Sequence, residues 1–337
     1  MSELDPALPN TRVSIVVPLY NEEESVAMLV REVHVALERT DWPWELILVD
    51  DGSTDSTVAE LRMAAHAWGP QVRIIELSRN YRQTAAMQAG IDASRGSVIV
   101  TLDGDLQNDP RDIPKLVDRL LKEDLDLVAG WRSERQDPTL LRKWPSRMAN
   151  LLIRKVLGLP FHDLGCSLKA YRGDVLRQIH LFGEMHRFIP AWMSTVTTPS
   201  RMAEEPVRHH PRRAGQSKYG IWRTGRVLID LLAVHFFTKY QSRPGHFFGG
   251  IGLVVSGTGV SILTYLLLLK LLGEDIGGRP LLWLGFFALL AGVQLLTTGV
   301  LAEILLRTRS SAAVRLDYHV RHMQELEPDQ GWRDCRG

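Results

Sequence analysis

Two stretches of this chain carry no charge: Phe247–Leu269, 23 residues, and Leu281–Ala302, 22 residues. Each exceeds the roughly 20 residues that a helix needs to cross about 30 Å of hydrocarbon. Both are predicted to span a membrane. The link between them, KLLGEDIGGRP, is short, so the two form a hairpin with both ends on one side. Gly249, Gly250, Gly252, Gly257 and Gly259 in the first span suit close helix packing in lipid. Lys239 and Arg243 precede the hairpin and Arg307, Arg309 and Arg315 follow it, whereas Lys270 and Arg279 in the link are offset by Glu274 and Asp275. The positive-inside rule then places the hairpin ends, and the large N-terminal part, in the cytoplasm; the expected location is the inner (cytoplasmic) membrane. MSELDPALPNTR, the start of the chain, has acids and no apolar centre, so a cleaved signal peptide is not expected.

The remaining chain divides by composition. Residues 1–12 form an N-terminal extension and 13–215 a soluble domain. Residues 216–243 mix Trp222, Leu228, Leu231, Leu232, Phe236 and Phe237 with Lys218, Arg223, Arg226 and Lys239, the make-up of a helix lying in the membrane interface. An ordinary amphipathic packing helix has the same composition. The hairpin occupies 246–306 and a tail 307–337. Net charge is +1, which names no polyanionic partner, and no nucleic acid is expected. Cys166 and Cys335 have no metal-ligand spacing and make no disulfide framework, which suits a reducing compartment.

Within 13–215, short β-branched runs alternate with helical spacing. Val13–Val17, Leu46–Val49, VRIIEL, SVIVTL and LDLVAG read as strands. Glu22–Arg39, with Val26, Leu29, Val30, Val33 and Leu37 on one side, reads as a helix. A second helix, capped from Ser53-Thr54-Asp55, runs to about Ala67; QTAAMQAGIDAS and Ile113–Lys122 give two more. Leu140–Leu157 and Arg187–Val196 have helical character, and GCSLKAYRGDVL reads as strand, turn and helix. The alternation predicts an α/β fold with a Rossmann-like, mostly parallel, doubly wound sheet. Ligands of such sheets bind beyond the carboxyl ends of the strands. That rule collects Pro18-Leu19-Tyr20-Asn21-Glu22, Asp50-Asp51-Gly52-Ser53 and Asp103-Gly104-Asp105 at one rim.

Asp103 and Asp105 repel each other unless a cation lies between them. Carboxylates at a strand end, with room for waters and phosphates, suit Mg²⁺ or Mn²⁺. Gln107 adds an amide oxygen or orients a carboxylate.

VSIVVPLYNEEESV, ELILVDDGSTDST, NYRQTAAMQAGIDASRGSVIVTLDGDLQNDP and GCSLKAYR resemble the inverting family 2 glycosyltransferases of GT-A fold. The resemblance is to their polyprenyl-phosphate branch, which includes dolichyl-phosphate mannose synthases, bactoprenol glucosyltransferases and undecaprenyl-phosphate aminoarabinose transferases. His209, Arg212, Gly215, Ser217, Lys218 and Tyr219 fit that branch's HxxRxxGxSKY pattern, and GVQLLTTGVLAEILLR is similar to its last membrane helix. The resemblance covers about residues 12–307; the tail resembles nothing named.

It implies a GT-A domain, a nucleotide-diphosphate sugar donor, a polyprenyl-phosphate acceptor, and Mg²⁺ or Mn²⁺. Pro18, Tyr20, Glu22, Asp50 and Asp51 would hold the nucleoside with Asp103. Asp103, Asp105 and Gln107 would hold metal and diphosphate. Arg132 and Arg135, after the fifth strand, resemble positions near the acceptor phosphate. Arg212, Ser217 and Lys218 form a second acceptor cluster, beside the membrane. Asp103, Asp105, Arg132, Arg212 and Lys218 are the expected catalytic set. Some relatives assemble, which leaves a homo-oligomer open. The same fold hosts processive polysaccharide synthases, but those carry QxxRW and more membrane helices, and this chain has neither. A membrane-anchored binding protein without catalysis is the other reading, opposed by the intact acids at 51, 103 and 105.

Overall fold

The computed structural model describes residues 11–132, 161–210, 236, 244–309 and 320–323, with side chains to residue 305. They fall into two compact units. Residues 11–132, 161–210 and 320–323 belong to the first, and residues 236 and 244–309 to the second. The expected interfacial helix, apart from Phe236, and the helical stretch 140–157 lie outside the described residues.

In the first unit, β1 (Val13–Leu19), β2 (Trp44–Asp50), β3 (Val72–Leu77) and β4 (Val98–Thr101) alternate with α1 (Val26–Leu37), α2 (Thr57–Trp68) and α3 (Gln83–Ala93). Helix α4 (Ile113–Lys122) leads into β5 (Leu127–Trp131). Strand β1 pairs in parallel with β2 and β4, and β2 with β3. Strand β6 (Lys169–Arg172) then enters antiparallel between β4 and β5, followed by the short helices α5 (Gly173–Leu176) and α6 (Ile189–Met193). Strand β7 (Met202–Pro206) runs parallel to β5, and β8 (Val320–Met323) runs antiparallel along β3. The sheet order is β7-β5-β6-β4-β1-β2-β3-β8. The sheet is mostly parallel, as the βαβ alternation predicts, and departs from it at β6 and β8.

Burial follows the apolar pattern. Every residue of β2 and β3 is buried, as expected of strands covered on both faces. Helix α1 buries Val26, Leu29, Val30, Val33 and Leu37, the five positions its spacing marks. Each such side chain contributes about 1.5–3 kcal/mol by leaving water. Helix α2 starts at Thr57, whose N–H donates to Asp55 Oδ1 at 3.0 Å, so Asp55 is the member of the expected cap that acts as one, while Ser53 and Thr54 serve another loop. Ser53 Oγ accepts from the Asn21 N–H at 2.9 Å, and the Thr54 N–H donates to Asn21 Oδ1 at 2.9 Å. The amino ends of the strands are closed by a buried ion pair, Arg73–Glu45 at 2.7 Å, with Ser14 Oγ donating to Glu45 at 2.7 Å.

The second unit holds α7 (Pro244–Leu271) and α8 (Pro280–Arg309). At 1.5 Å per residue, the 28 residues of α7 reach about 42 Å, enough to cross a bilayer. The two helices meet through glycine. A Cβ on Gly252 would lie 2.9 Å from the Gly292 carbonyl, and one on Gly259 would lie 2.6 Å from the Leu289 nitrogen. Gly249, Gly250 and Gly257 have no atom that close, so two of the five glycines expected at the contact make it. In the link, Arg279 pairs with Glu274.

Candidate active site

Strands β4, β1 and β2 are adjacent and parallel, so the loops after Thr101, Leu19 and Asp50 open at one rim. The glycine between the paired acids has a steric cause. A Cβ on Gly104 would sit 2.3 Å from Cδ2 of Leu19, itself buried at the end of β1. Leu106 turns with φ +56°, and the Gln107 N–H comes back to Asp105 Oδ1 at 3.2 Å. The acids are thus carried on a tight loop pressed against β1.

Asp103 is half-buried and accepts a hydrogen bond from Gln83 Nε2 at 2.7 Å. Burial pushes its carboxyl up to about 6, and the charge of Asp105 adds to the rise; the Ser167 hydroxyl, Lys169 and Arg132 pull it back. Ser167 and Lys169 arrive at the start of β6, and Arg132 at the end of β5. Lys169 stands opposite Thr101 in the β4–β6 register, and Thr101 Oγ1 donates to the Ser167 carbonyl at 2.8 Å. Asn108 Nδ2 donates to Ser167 Oγ at 2.7 Å. Lys169 is fully buried; its ammonium donates to the Cys166 carbonyl, and burial lowers its pKa. The antiparallel strand that the alternation does not foresee delivers the positive charge beneath the acids.

Arg132 lies at the end of β5 in a two-point ion pair with Asp163, Nε–Oδ2 at 2.6 Å and Nη2–Oδ1 at 2.9 Å. A guanidinium has five N–H donors, so the pair leaves others for an anion. Glu204 on β7 fixes the loop that bears Asp163, accepting the backbone N–H groups of His162 and Asp163 at 2.7 and 2.8 Å.

On the other side of β1, Asp50 closes its own turn, accepting the Gly52 and Ser53 N–H groups at 3.1 Å each. Burial raises its pKa. Asp51 accepts the Tyr81 N–H at 2.7 Å; burial, then the nearby Asp50 charge, pushes it up to about 6 against the pull of backbone N–H groups. Gly52 adopts φ +69° with its Cα against the Arg79–Asn80 backbone, where a Cβ would lie 2.4 Å from the Arg79 carbonyl carbon. Pro18 lies in β1 opposite Val49, and Tyr20 is exposed at the rim. Glu22 is turned toward the helices. Its carboxylate accepts from Ser25 Oγ at 2.8 Å and its N–H donates to Thr57 Oγ1 at 2.9 Å. A cavity of about 600 Å³ is lined by Asp50, Gly52, Ser53, Asp55, Glu76 and Ser78, among others.

Arg135, Arg212, Ser217 and Lys218 lie outside the described residues. The segment leading to the latter three is described as far as His210. The His210 N–H donates to the Gln107 carbonyl at 2.8 Å, and His209 makes an isolated bridge with Asn108. Arg208 clamps Asp112 at 2.9 and 3.1 Å. The chain therefore runs alongside the loop of the paired acids at the start of the HxxRxxGxSKY residues.

Sequence reading singles out Asp51, Asp103, Asp105 and Arg132, but it misses Gln83, Asp163, Ser167 and Lys169. Gln83, Ser167 and Lys169 lie within the stretches that resemble the family, but the strand pairing that brings them to the rim is not a local signal. Among the described residues, no cluster of three or more His, Cys, Asp or Glu side chains could hold a metal by itself. Two acids separated by one glycine, one of them destabilised by the other's charge, fit a cation whose remaining ligands are water and phosphate.

Residues 14–180 match the family model described as glycosyl transferase family 2. The chain is 52% identical to the dodecaprenyl-phosphate galacturonate synthase of Rhizobium johnstonii, over 92% of each chain. It is 36% identical to the undecaprenyl-phosphate 4-deoxy-4-formamido-L-arabinose transferase of Pseudomonas aeruginosa, over 95% of this chain and 92% of that one. Among solved structures, it is similar to the glucosyl-3-phosphoglycerate synthase of Mycobacterium tuberculosis in complex with Mn²⁺, UDP and glucosyl-3-phosphoglycerate. The TM-score is 0.53 at 19% identity, covering 69% of this chain and 81% of that one. That likeness establishes the GT-A fold.

Proposed function

The chain belongs to glycosyl transferase family 2, and on that premise we propose that it transfers a sugar from a nucleotide-diphosphate sugar to a polyprenyl phosphate, with inversion, at the cytoplasmic face of the inner membrane. The observation that carries the reading is the shared rim. Asp51 follows β2 and Asp103 and Asp105 follow β4, on parallel strands flanking β1. Relatedness over nearly the full length to two transferases named for polyprenyl phosphates supports the acceptor. The long apolar helices α7 and α8 support a membrane location for it. The packing of α7 against α8 supports a hairpin with both ends on one membrane side.

Asp103 and Asp105, with Gln107, would hold Mg²⁺ or Mn²⁺. When bound, the ion neutralises the charge that develops on the leaving diphosphate. Asp51, Asp50, Pro18, Tyr20 and Glu22 would bind and orient the nucleoside. The acceptor needs no general base from the protein. A phosphomonoester has a second pKa near 6, so at pH 7 it is mostly the dianion and already a nucleophile. The protein's task is positioning: the attacking oxygen must lie in line with the anomeric carbon and the leaving oxygen. Arg132, through donors not used by Asp163, and Arg135, Arg212, Ser217 and Lys218 would hold the attacking phosphate; a guanidinium matches two phosphate oxygens at once.

Detergent-solubilised protein should be incubated with undecaprenyl phosphate, Mg²⁺ or Mn²⁺, and a panel of labelled UDP- and GDP-sugars. The expected product is a lipid monophosphosugar from one donor class. A polymer, or donor binding without transfer, would contradict the reading.

A further inference from the structure

The turn Tyr81-Arg82-Gln83 touches both acidic subsites of the rim. The Tyr81 N–H donates to Asp51 Oδ1 at 2.7 Å, and two residues later Gln83 Nε2 donates to Asp103 Oδ1 at 2.7 Å. Asp51 and Asp103 leave strands β2 and β4, which are separated by β1, so the turn reaches across the end of β1. It does so in a costly backbone state. Arg82 has φ +75°, in the left-handed region that a long side chain occupies only where the surroundings impose it. Helix α3 starts at Gln83, so its first side chain is the one on Asp103. Thr84, the next residue, is buried and bonded to His186 at 2.6 Å, which anchors the start of the helix.

We infer that Gln83 is a positioning residue for the cation site: its amide holds Asp103 in the rotamer that, with Asp105, faces the metal. The inference rests on the function proposed above. A carboxylate oxygen facing a cation must present one lone pair and keep its other valences occupied, and outer partners of metal ligands typically set affinity by 10- to 100-fold. Gln83 has the required character. It donates without adding charge, is itself half-buried, and is carried on a helix rather than a loop. The hydrogen-bond donors to Asp103 among the described residues include the side chains of Gln83 and Ser167.

The test is Mn²⁺ binding rather than turnover. Full-length protein in detergent, with saturating UDP, is titrated with Mn²⁺ and free ion is read by electron paramagnetic resonance. Gln83→Met keeps length and helix propensity but removes the donor, and Gln83→Ala serves as a second variant. Both should bind Mn²⁺ about 10-fold more weakly, with metal-free UDP affinity within about 2-fold of wild type, because Asp51 is held by a backbone group. Variant titrations that superimpose on wild type would overturn the role of Gln83 and leave the proposed function intact. Wild-type protein that takes up no Mn²⁺ with UDP would overturn both.

Discussion

Arg132 and Asp163 form a two-point ion pair at the end of β5, with both side chains largely out of water, 16% and 6% exposed. Breaking such a pair on one side leaves the other charge buried and uncompensated, at a cost of about 3–5 kcal/mol. Asp163→Ala should lower stability by that order in urea unfolding. If Arg132 receives the acceptor phosphate, the same variant should raise the KM for polyprenyl phosphate more than that for the nucleotide sugar. An equal change in both would assign the pair a purely structural role.

Gly104 is required by Leu19. Gly104→Ala would drive a methyl group into the Leu19 side chain. Overpacking of a buried contact costs about 1–3 kcal/mol, and a displacement near 1 Å of the acid loop can cost about 100-fold in rate. The double variant Gly104→Ala/Leu19→Ala should recover part of the lost kcat. Wild-type kcat in Gly104→Ala alone would show that the loop tolerates the shift.

Asp51 gives a pH signature. Its carboxyl is raised from 3.8 to about 6 in the folded protein, chiefly by burial. A raised acid favours the protonated folded state, so its ionisation destabilises the fold at neutral pH. That penalty fades as pH falls from about 6 and is gone below about 4. Asp51→Asn keeps an oxygen for the Tyr81 N–H and has no such titration. In metal- and nucleotide-free protein, the stability of wild type relative to Asp51→Asn should rise between pH 7 and pH 4. A difference independent of pH would contradict the shift.

Lys169 is the buried cation nearest in register to the acid loop. Lys169→Met keeps the volume but removes a charge that opposes the repulsion around Asp103. Removing one member of a buried charge cluster costs about 3 kcal/mol, read as a lower midpoint in thermal unfolding at pH 7. Added Mn²⁺ should recover part of that loss, since it supplies positive charge at the same place. No recovery would place Lys169 outside the electrostatics of the site.

Much of this was legible in the sequence. The α1 face, the limits of α4, the hairpin and the rim of Asp51, Asp103 and Asp105 follow from periodicity and from the strand-end rule, which are local signals. Gln83, Lys169 and Asp163 were not legible, because their roles depend on partners 20, 66 and 31 positions away. The strand in GCSLKAYRGDVL was legible but its reversed direction was not, and β8 lies beyond the hairpin with no crossover to announce it. Ser53 and Thr54 look like helix caps by composition but are occupied by Asn21 at φ +53°.

The central claim is that the acids after β4 serve a divalent cation in sugar transfer. Asp105→Asn preserves shape and removes one charge. In labelled-sugar transfer to undecaprenyl phosphate with Mg²⁺ or Mn²⁺, it should lose at least about 100-fold in kcat, while its unfolding midpoint stays near that of wild type. Transfer at the wild-type rate by a folded Asp105→Asn protein would contradict the account.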